Sequence, residues 1–175
     1  QGDEEHAEYV KNASLRIYDS MQDELGLDSR DRSLLEVSAI LHDVGMFIKP
    51  EDHNLHGKYI ILNSELFGLN RDERSLVAMI VAYHKGTKKL QDDPEFRLLP
   101  RSSRMCVLKL TAILRLADAL DRTHKQKLFN FTISFARDSI TLRTQGHHNL
   151  SLEKLALAQK GVMFENVFGY RIVLV

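Results

Sequence analysis

An imidazole and a carboxylate stand side by side at His42 and Asp43, inside the run Leu41-His42-Asp43-Val44-Gly45. Neighbouring residues on a helix point roughly 100° apart, so the two side chains reach one point only near a helix end or between their directions. A shared metal ion is such a point. Four further groups of the same chemistry fall near a helix end or on an apolar stripe: His6, His56, His84 and Asp118. The six offer imidazole nitrogen and carboxylate oxygen, a set that suits Mn, Fe or Zn, and Mg where more oxygen joins. A carboxylate between two sites bridges metals about 3.5–4 Å apart, and such a pair lowers the pKa of a water and neutralises phosphate oxygens. Hydrolysis of a phosphoester or phosphoanhydride needs both. Taken singly, each residue has an ordinary explanation. A histidine on an apolar face is most often hydrogen-bonded in a core, and Arg115 and Arg122, at i−3 and i+4 from Asp118, fit a helical ion pair. The expectation therefore rests on the set. His53, His124, His147 and His148 read as surface residues.

The elements that must position these groups follow from apolar periodicity. Ala7, Val10, Ser14, Ile17, Met21 and Leu25 recur at three- and four-residue steps and predict a helix from His6 that ends at Gly26. Asp28 and Ser29 are good N-caps for a second helix, which turns Leu34, Val37, Ser38 and Leu41 inward and stops at Gly45. His42 and Asp43 then fall in its last turn. The loop from Phe47 to Asn54 delivers His53 and His56 to a third helix, whose buried face is expected at Tyr59, Ile60, Leu62 and Leu66 before Gly68 breaks it. Asn70 caps a fourth, with Glu73 placed to reach back to the cap, and Val77, Ile80 and His84 lie on one stripe of it. The polar stretch from Lys85 to Arg101 is long enough for a functional loop or lid.

Ser102 opens the longest helix, with Val107, Leu110, Ile113, Leu114, Ala117 and Leu120 inward and Asp118 embedded among them. After residue 130 the period becomes two: Phe131 to Phe135 and Ile140 to Thr144 predict a hairpin about Arg137-Asp138-Ser139. Leu152 to Met163 returns to helical spacing, and Tyr170 to Val175 predicts a last strand. The fold class is mainly α, and α+β overall: a helical bundle over residues 1–128 followed by a small β-β-α-β annex over 129–175.

With 175 residues and 43% hydrophobic content the chain can bury a real core. Its longest apolar run, Leu76 to Tyr83, is far short of the roughly 18 residues that span a bilayer. No membrane partner, signal segment or specific nucleic-acid partner is expected. Cys106 is the single cysteine, which excludes an intrachain disulfide and a cysteine-based zinc site and favours a reducing, cytoplasmic setting. The net charge is zero but unevenly placed. Residues 84–128 carry 11 Lys/Arg against 5 Asp/Glu, a net of +6 that suits an anionic ligand or, more simply, a solvated helix face.

The order His, His-Asp, His, His, Asp on successive helices resembles the HD superfamily of metal-dependent phosphohydrolases. That resemblance implies an HD-type bundle in which His6, His42, Asp43 and Asp118 are the core metal ligands, while His56 and His84 match the additional histidines of two-metal members. A second resemblance covers almost the whole chain. LHDVGMFI (Leu41 to Ile48), Tyr83-His84, LRLADALDRTH (Leu114 to His124) and FENVFGY (Phe164 to Tyr170) are similar to the C-terminal half of the exopolyphosphatase and guanosine pentaphosphate phosphohydrolase family.

In the wider superfamily a lysine often follows HD-x-G and touches the substrate phosphate; this chain carries Met46 there. In the polyphosphatase family the established phosphohydrolase site lies in an N-terminal actin-like half, which these residues do not include. Two expectations follow. One is an enzyme hydrolysing polyphosphate or guanosine pentaphosphate, with one or two divalent ions, catalytic His42 and Asp43, and Lys85, Lys88 and Arg122 holding substrate. The other is a non-catalytic module that binds polyphosphate. Both carry a homodimer by family resemblance. A blander third option is an inert scaffold with internally bonded histidines.

Overall fold

The computed structural model describes residues 2–126, 128, 130–145 and 149–175. His147 and His148, read from the sequence as surface residues, lie outside the described residues. α1 (Gly2–Ser20) buries Val10, Ser14 and Ile17, as their spacing predicts. It does not run on to Gly26. Met21 leaves helical geometry at φ −109°, ψ 8°, and a separate turn, α2 (Gln22–Leu25), follows and ends at Gly26 with φ +58°. α3 (Ser29–Leu41) begins at a capping box: the Asp28 carboxylate accepts from the Arg30 and Asp31 amides, and Asp31 accepts from the Asp28 amide.

A 3-10 turn over Val44–Phe47 leads to α4 (His53–Leu62). The inner face of α4 differs from the expected one. Tyr59 and Leu62 are exposed, and it is Gly57 and Ile61 that are buried, because the small Gly57 lets α4 lie close to Val81. α5 (Arg71–Tyr83) starts at the Asn70–Glu73 capping box and packs on α3, α4 and α7.

The polar stretch after α5 is a packed arm rather than an open loop. A 3-10 turn over Leu90–Asp92 and α6 (Pro94–Leu98), capped by the Asp93 side chain, seat Leu90 and Phe96 in the core. α7 (Arg101–Leu120) is the central element. Its face Val107, Leu110, Ile113, Leu114, Ala117 and Leu120 is buried against α1, α3 and α5, and each such Leu or Ile contributes about 1.5–3 kcal/mol by leaving water.

The annex has the expected hairpin: β1 (Phe131–Phe135) pairs antiparallel with β2 (Ser139–Thr144), Phe131 opposite Thr144 and Phe135 opposite Ile140. The helical segment that follows is two helices, α8 (Ser151–Lys160) and α9 (Val162–Phe168), broken at Gly161, and both pack on α7. β3 (Arg171–Leu174) then returns parallel to β2, giving the order β1-β2-β3. Among the described residues no helix is long and apolar enough to cross a membrane.

Candidate metal centre

Three histidines are oriented by one local device. His42 caps the end of α3, His84 caps the end of α5, and His53 opens α4; each sends Nδ1 to the carbonyl three residues earlier, Ala39 at 2.7 Å, Val81 at 2.7 Å and Pro50 at 2.9 Å. A carbonyl only accepts, so Nδ1 carries a hydrogen in His42 and His84; Nε2 then offers a lone pair when the ring is neutral and donates when it is charged, while at His53 the Lys85 ammonium also stands 3.2 Å from Nδ1. His6, in the first turns of α1, meets a carboxylate instead, with Nδ1 2.8 Å from Asp121 Oδ2. Four imidazoles thereby turn Nε2 inward, with the oxygen partners on the far ring nitrogen that metal-binding histidines use.

The four Nε2 atoms converge in two pairs. His6 and His42 approach to 3.3 Å, and so do His53 and His84. Asp43 lies between the pairs. Its Oδ2 is 3.4 Å from His42 and 3.9 Å from His6, while its Oδ1 is 3.0 Å from His53 and 3.7 Å from His84. Asp118 Oδ1 joins at 3.5 Å from His6 Nε2. Two groups, His6-His42-Asp43 and Asp43-His53-His84, each hold donor atoms within 4.8 Å of one another and share Asp43. Two lone pairs facing each other at 3.3 Å repel unless a proton or a metal cation lies between them. The donor set therefore fits one or two divalent cations, and Asp43, common to both groups, would serve either.

The electrostatics make the same demand. Burial opposes charge on His6, yet hydrogen bonds and charge from Asp118 and Asp121 outweigh it and raise its pKa to about 9. Burial likewise opposes charge on His42, and Asp43 and Asp118 again raise it. Burial would raise both carboxylates, but hydrogen bonds from His42 and His53 hold Asp43 well below the usual carboxylate range, and the Lys160 charge with the His6 hydrogen bond does so for Asp118. His84 is pushed down to about 3, first by burial and then by the charge of His42. The centre thus keeps two ionised acids at a place that calls for positive charge.

The structure brings together His6, His42, Asp43, His84 and Asp118, five of the six residues expected as ligands. It does not bring His56, which sits half-buried one turn into α4 and is not among the residues lining the cavity. His53, read from the sequence as a surface residue, stands in that place. Both lie on nearly the same side of α4, three residues apart, and the close approach of Gly45 decides between them: a Cβ on Gly45 would fall 1.9 Å from the His53 carbonyl oxygen. His124 is exposed as expected, yet its ring stacks on His6 at 3.8 Å between centroids, and burial and the His6 charge lower its pKa.

A cavity of about 630 Å³ opens on the centre, and Lys85 and Arg122 line it; Lys88 lines a neighbouring cavity instead. The helical ion pair from Arg115 to Asp118 does not form, because Arg115 turns to the carbonyls of Tyr83 and Gly86. Asp118 instead receives Lys160, from the end of α8. Lys160 and Asp121 carry no signal of role in their local sequence, apart from the i+3 step that puts Asp121 on the Asp118 side of α7.

With the geometry in place, the chain matches the family described as Ppx/GppA phosphatase, domain III, over residues 1–163. It belongs to that family. It is 28% identical over 149 residues to the guanosine-5'-triphosphate,3'-diphosphate pyrophosphatase of Aeromonas hydrophila, covering 81% of this chain and 28% of that protein. It is also 28% identical over 144 residues, with the same coverage, to the protein of that name from Photobacterium profundum. The Aeromonas salmonicida protein of that name is 26% identical over 145 residues, again 81% of this chain and 28% of its own length. The chain thus spans a little over a quarter of the length of these relatives.

Proposed function

We propose that the chain is a divalent-metal-dependent phosphohydrolase unit of the HD type, acting on phosphoanhydride bonds of polyphosphate or of guanosine pentaphosphate. One observation supports this most: four Nε2 atoms, from rings whose Nδ1 each meets an oxygen, surround a carboxylate shared by two three-residue groups. His6, His42 and Asp43, joined by Asp118, would hold one ion, and Asp43, His53 and His84 the second. When bound, such ions lower the pKa of a water and take up charge on phosphate oxygens.

The chain's own residues do the rest. Asp43 and Asp118 stay ionised, while His42 and His84 are held by carbonyls so that neither ring turns away. Lys85, Arg122 and Lys160 line the cavity wall and offer cations to phosphate oxygens. Leu152, Leu155 and Ala156 of α8 form its apolar side and limit water.

Met46 favours a second reading, a polyphosphate-binding and dimerisation module without turnover, because it lines the cavity where the wider superfamily carries a phosphate-touching lysine. Phosphate release from polyphosphate and from guanosine pentaphosphate, measured with added Mn for the wild type and His42→Ala, separates the two. Release lost in His42→Ala supports the hydrolase. Mn uptake without release supports the module, and equal release by both proteins removes the His/Asp mechanism. Both readings carry a cytoplasmic homodimer, which a monomer mass in sedimentation would remove.

A further inference from the structure

The small sheet ends on one side at β1, and its register shows which peptide groups are left over there. The Leu142 carbonyl accepts from the Val175 amide at 3.0 Å and the Thr144 amide donates to the Val175 carbonyl at 2.8 Å, so these alternate residues of β2 turn their peptide groups away from β1. Thr141 and Arg143 face β1 instead, opposite Ser134 and Thr132. Phe131, Ile133 and Phe135 therefore turn N–H and C=O outward along an open edge. Among the described residues one of these groups has a partner, the Phe131 carbonyl, which accepts from Arg16 Nη1 at 2.9 Å.

That end of the edge opens on a cavity of about 460 Å³ between α1 and β1. Tyr9 and Ala13, both buried, line it together with Phe131, and Asn12 and Asn130 add amides. Arg16 brings positive charge, and no carboxylate among the described residues forms an ion pair with it. Asp19, one turn further along α1, is held by Arg32 at 2.7 and 2.8 Å. Arg16 lies over the Phe131 ring, 5.2 Å from its centroid, and gives one of its several N–H groups to the Phe131 carbonyl, so the others remain for an anion. An open strand edge, an unpaired cation and an apolar hollow thus meet at Phe131.

Charge decides what such an edge accepts and in which direction. A strand added antiparallel to β1 brings its C-terminal end to Phe131, where a terminal carboxylate meets Arg16; a parallel strand would bring an N-terminal ammonium against the same cation. Residues opposite each other share a face of the sheet, so the last, third-last and fifth-last side chains of the added strand lie beside Phe131, Ile133 and Phe135. The last of them enters the hollow of Tyr9 and Ala13. The residues between lie beside Thr132 and Ser134, which are exposed. We propose that the β1 edge docks the extended C-terminal segment of a partner protein, with its free carboxylate on Arg16 and apolar residues at those alternate positions. The cavity shares no lining residue with the His/Asp cavity, so the inference stands apart from the proposed hydrolase.

Fluorescence anisotropy of the 175-residue chain with a dye-labelled peptide tests this. The peptide carries valine at its last, third-last and fifth-last positions and serine or threonine elsewhere. Two altered forms are each expected to bind at least about tenfold more weakly: the C-terminal amide, and a form N-methylated at the third-last residue, which cannot donate to the Ile133 carbonyl. Arg16→Met, at an exposed position, is expected to weaken the acid by a similar factor, to leave the amide unchanged, and to keep the wild type's unfolding midpoint. Equal binding of acid and amide overturns the proposal, as does a difference that survives in Arg16→Met, an N-methylated peptide as tight as its parent, or no binding at all. A dimer in sedimentation that excludes the peptide overturns it as well and gives the edge to a second copy.

Discussion

Lys160 and Asp121 act on the centre from opposite directions, and that difference is measurable. Asp121 is buried and holds His6 Nδ1, while also accepting from the Gln126 amide at 2.7 Å. Asp121→Asn removes the charge and offers His6 a donor, which permits the wrong tautomer with hydrogen on Nε2. Mn affinity, read by calorimetry, is expected to fall about 10–100-fold in Asp121→Asn with the fold retained. Lys160 instead pairs with Asp118, and a metal held at the proposed centre would have to compete with it. In Lys160→Met, Mn affinity is expected to rise by about fivefold, the equivalent of about 1 kcal/mol for a partly exposed pair. A fall in both variants would mean that Lys160 supports the site rather than competing in it. Neither residue was legible as functional in the sequence, because the contacts span 115 residues for His6 with Asp121 and 42 for Asp118 with Lys160. His42 and Asp43 were legible because they are adjacent, and His84 because it falls on the stripe of Val77 and Ile80. His53 was not, since spacing along α4 places it and His56 on nearly one side.

At the scale of elements, the caps and the long apolar stripes carried most of the information. The Asn70–Glu73 box opens α5 and the Asp28 carboxylate opens α3 where their residue types indicate, and the stripe of α7 lies in the core from Val107 to Leu120. Leu114→Ala is expected to lower unfolding stability by about 2–5 kcal/mol in denaturant titration, as a buried Leu in a packed helix does. The break between α8 and α9 was hidden because apolar residues continue at helical steps through Val162 and Met163. The junction of α3 with α4 was hidden for another reason: Gly45 is read locally as a helix stop, whereas in the fold its missing side chain admits the His53 carbonyl. Gly45→Ala forces those backbones apart and is expected to cost about 1–3 kcal/mol, with weakened Mn binding as His53 is displaced. Unchanged stability and Mn affinity in Gly45→Ala would contradict the close approach.

For the molecule as a whole, a metal held at the proposed centre would act as a staple, since the candidate ligands come from α1, the end of α3, the start of α4, the end of α5, and α7. The unfolded chain scatters these groups, so a metal that binds the folded state alone stabilises it by mass action, about 2.7 kcal/mol at a hundred times Kd. For a chain of this size each kcal/mol raises Tm by about 2–4 °C, so saturating Mn is expected to raise Tm by about 5–10 °C, and EDTA to reverse the rise. The ligand assignment then has a direct test in one pair of neighbours on α4. His53→Ala, which removes an Nε2 lying 3.0 Å from Asp43, is expected to lose much of the Mn-induced rise; His56→Ala, off the cavity wall, is expected to keep it. The opposite result would restore His56 as the ligand and require α4 to sit one turn differently against Gly45, and an unchanged Tm in the wild type would remove the metal centre altogether.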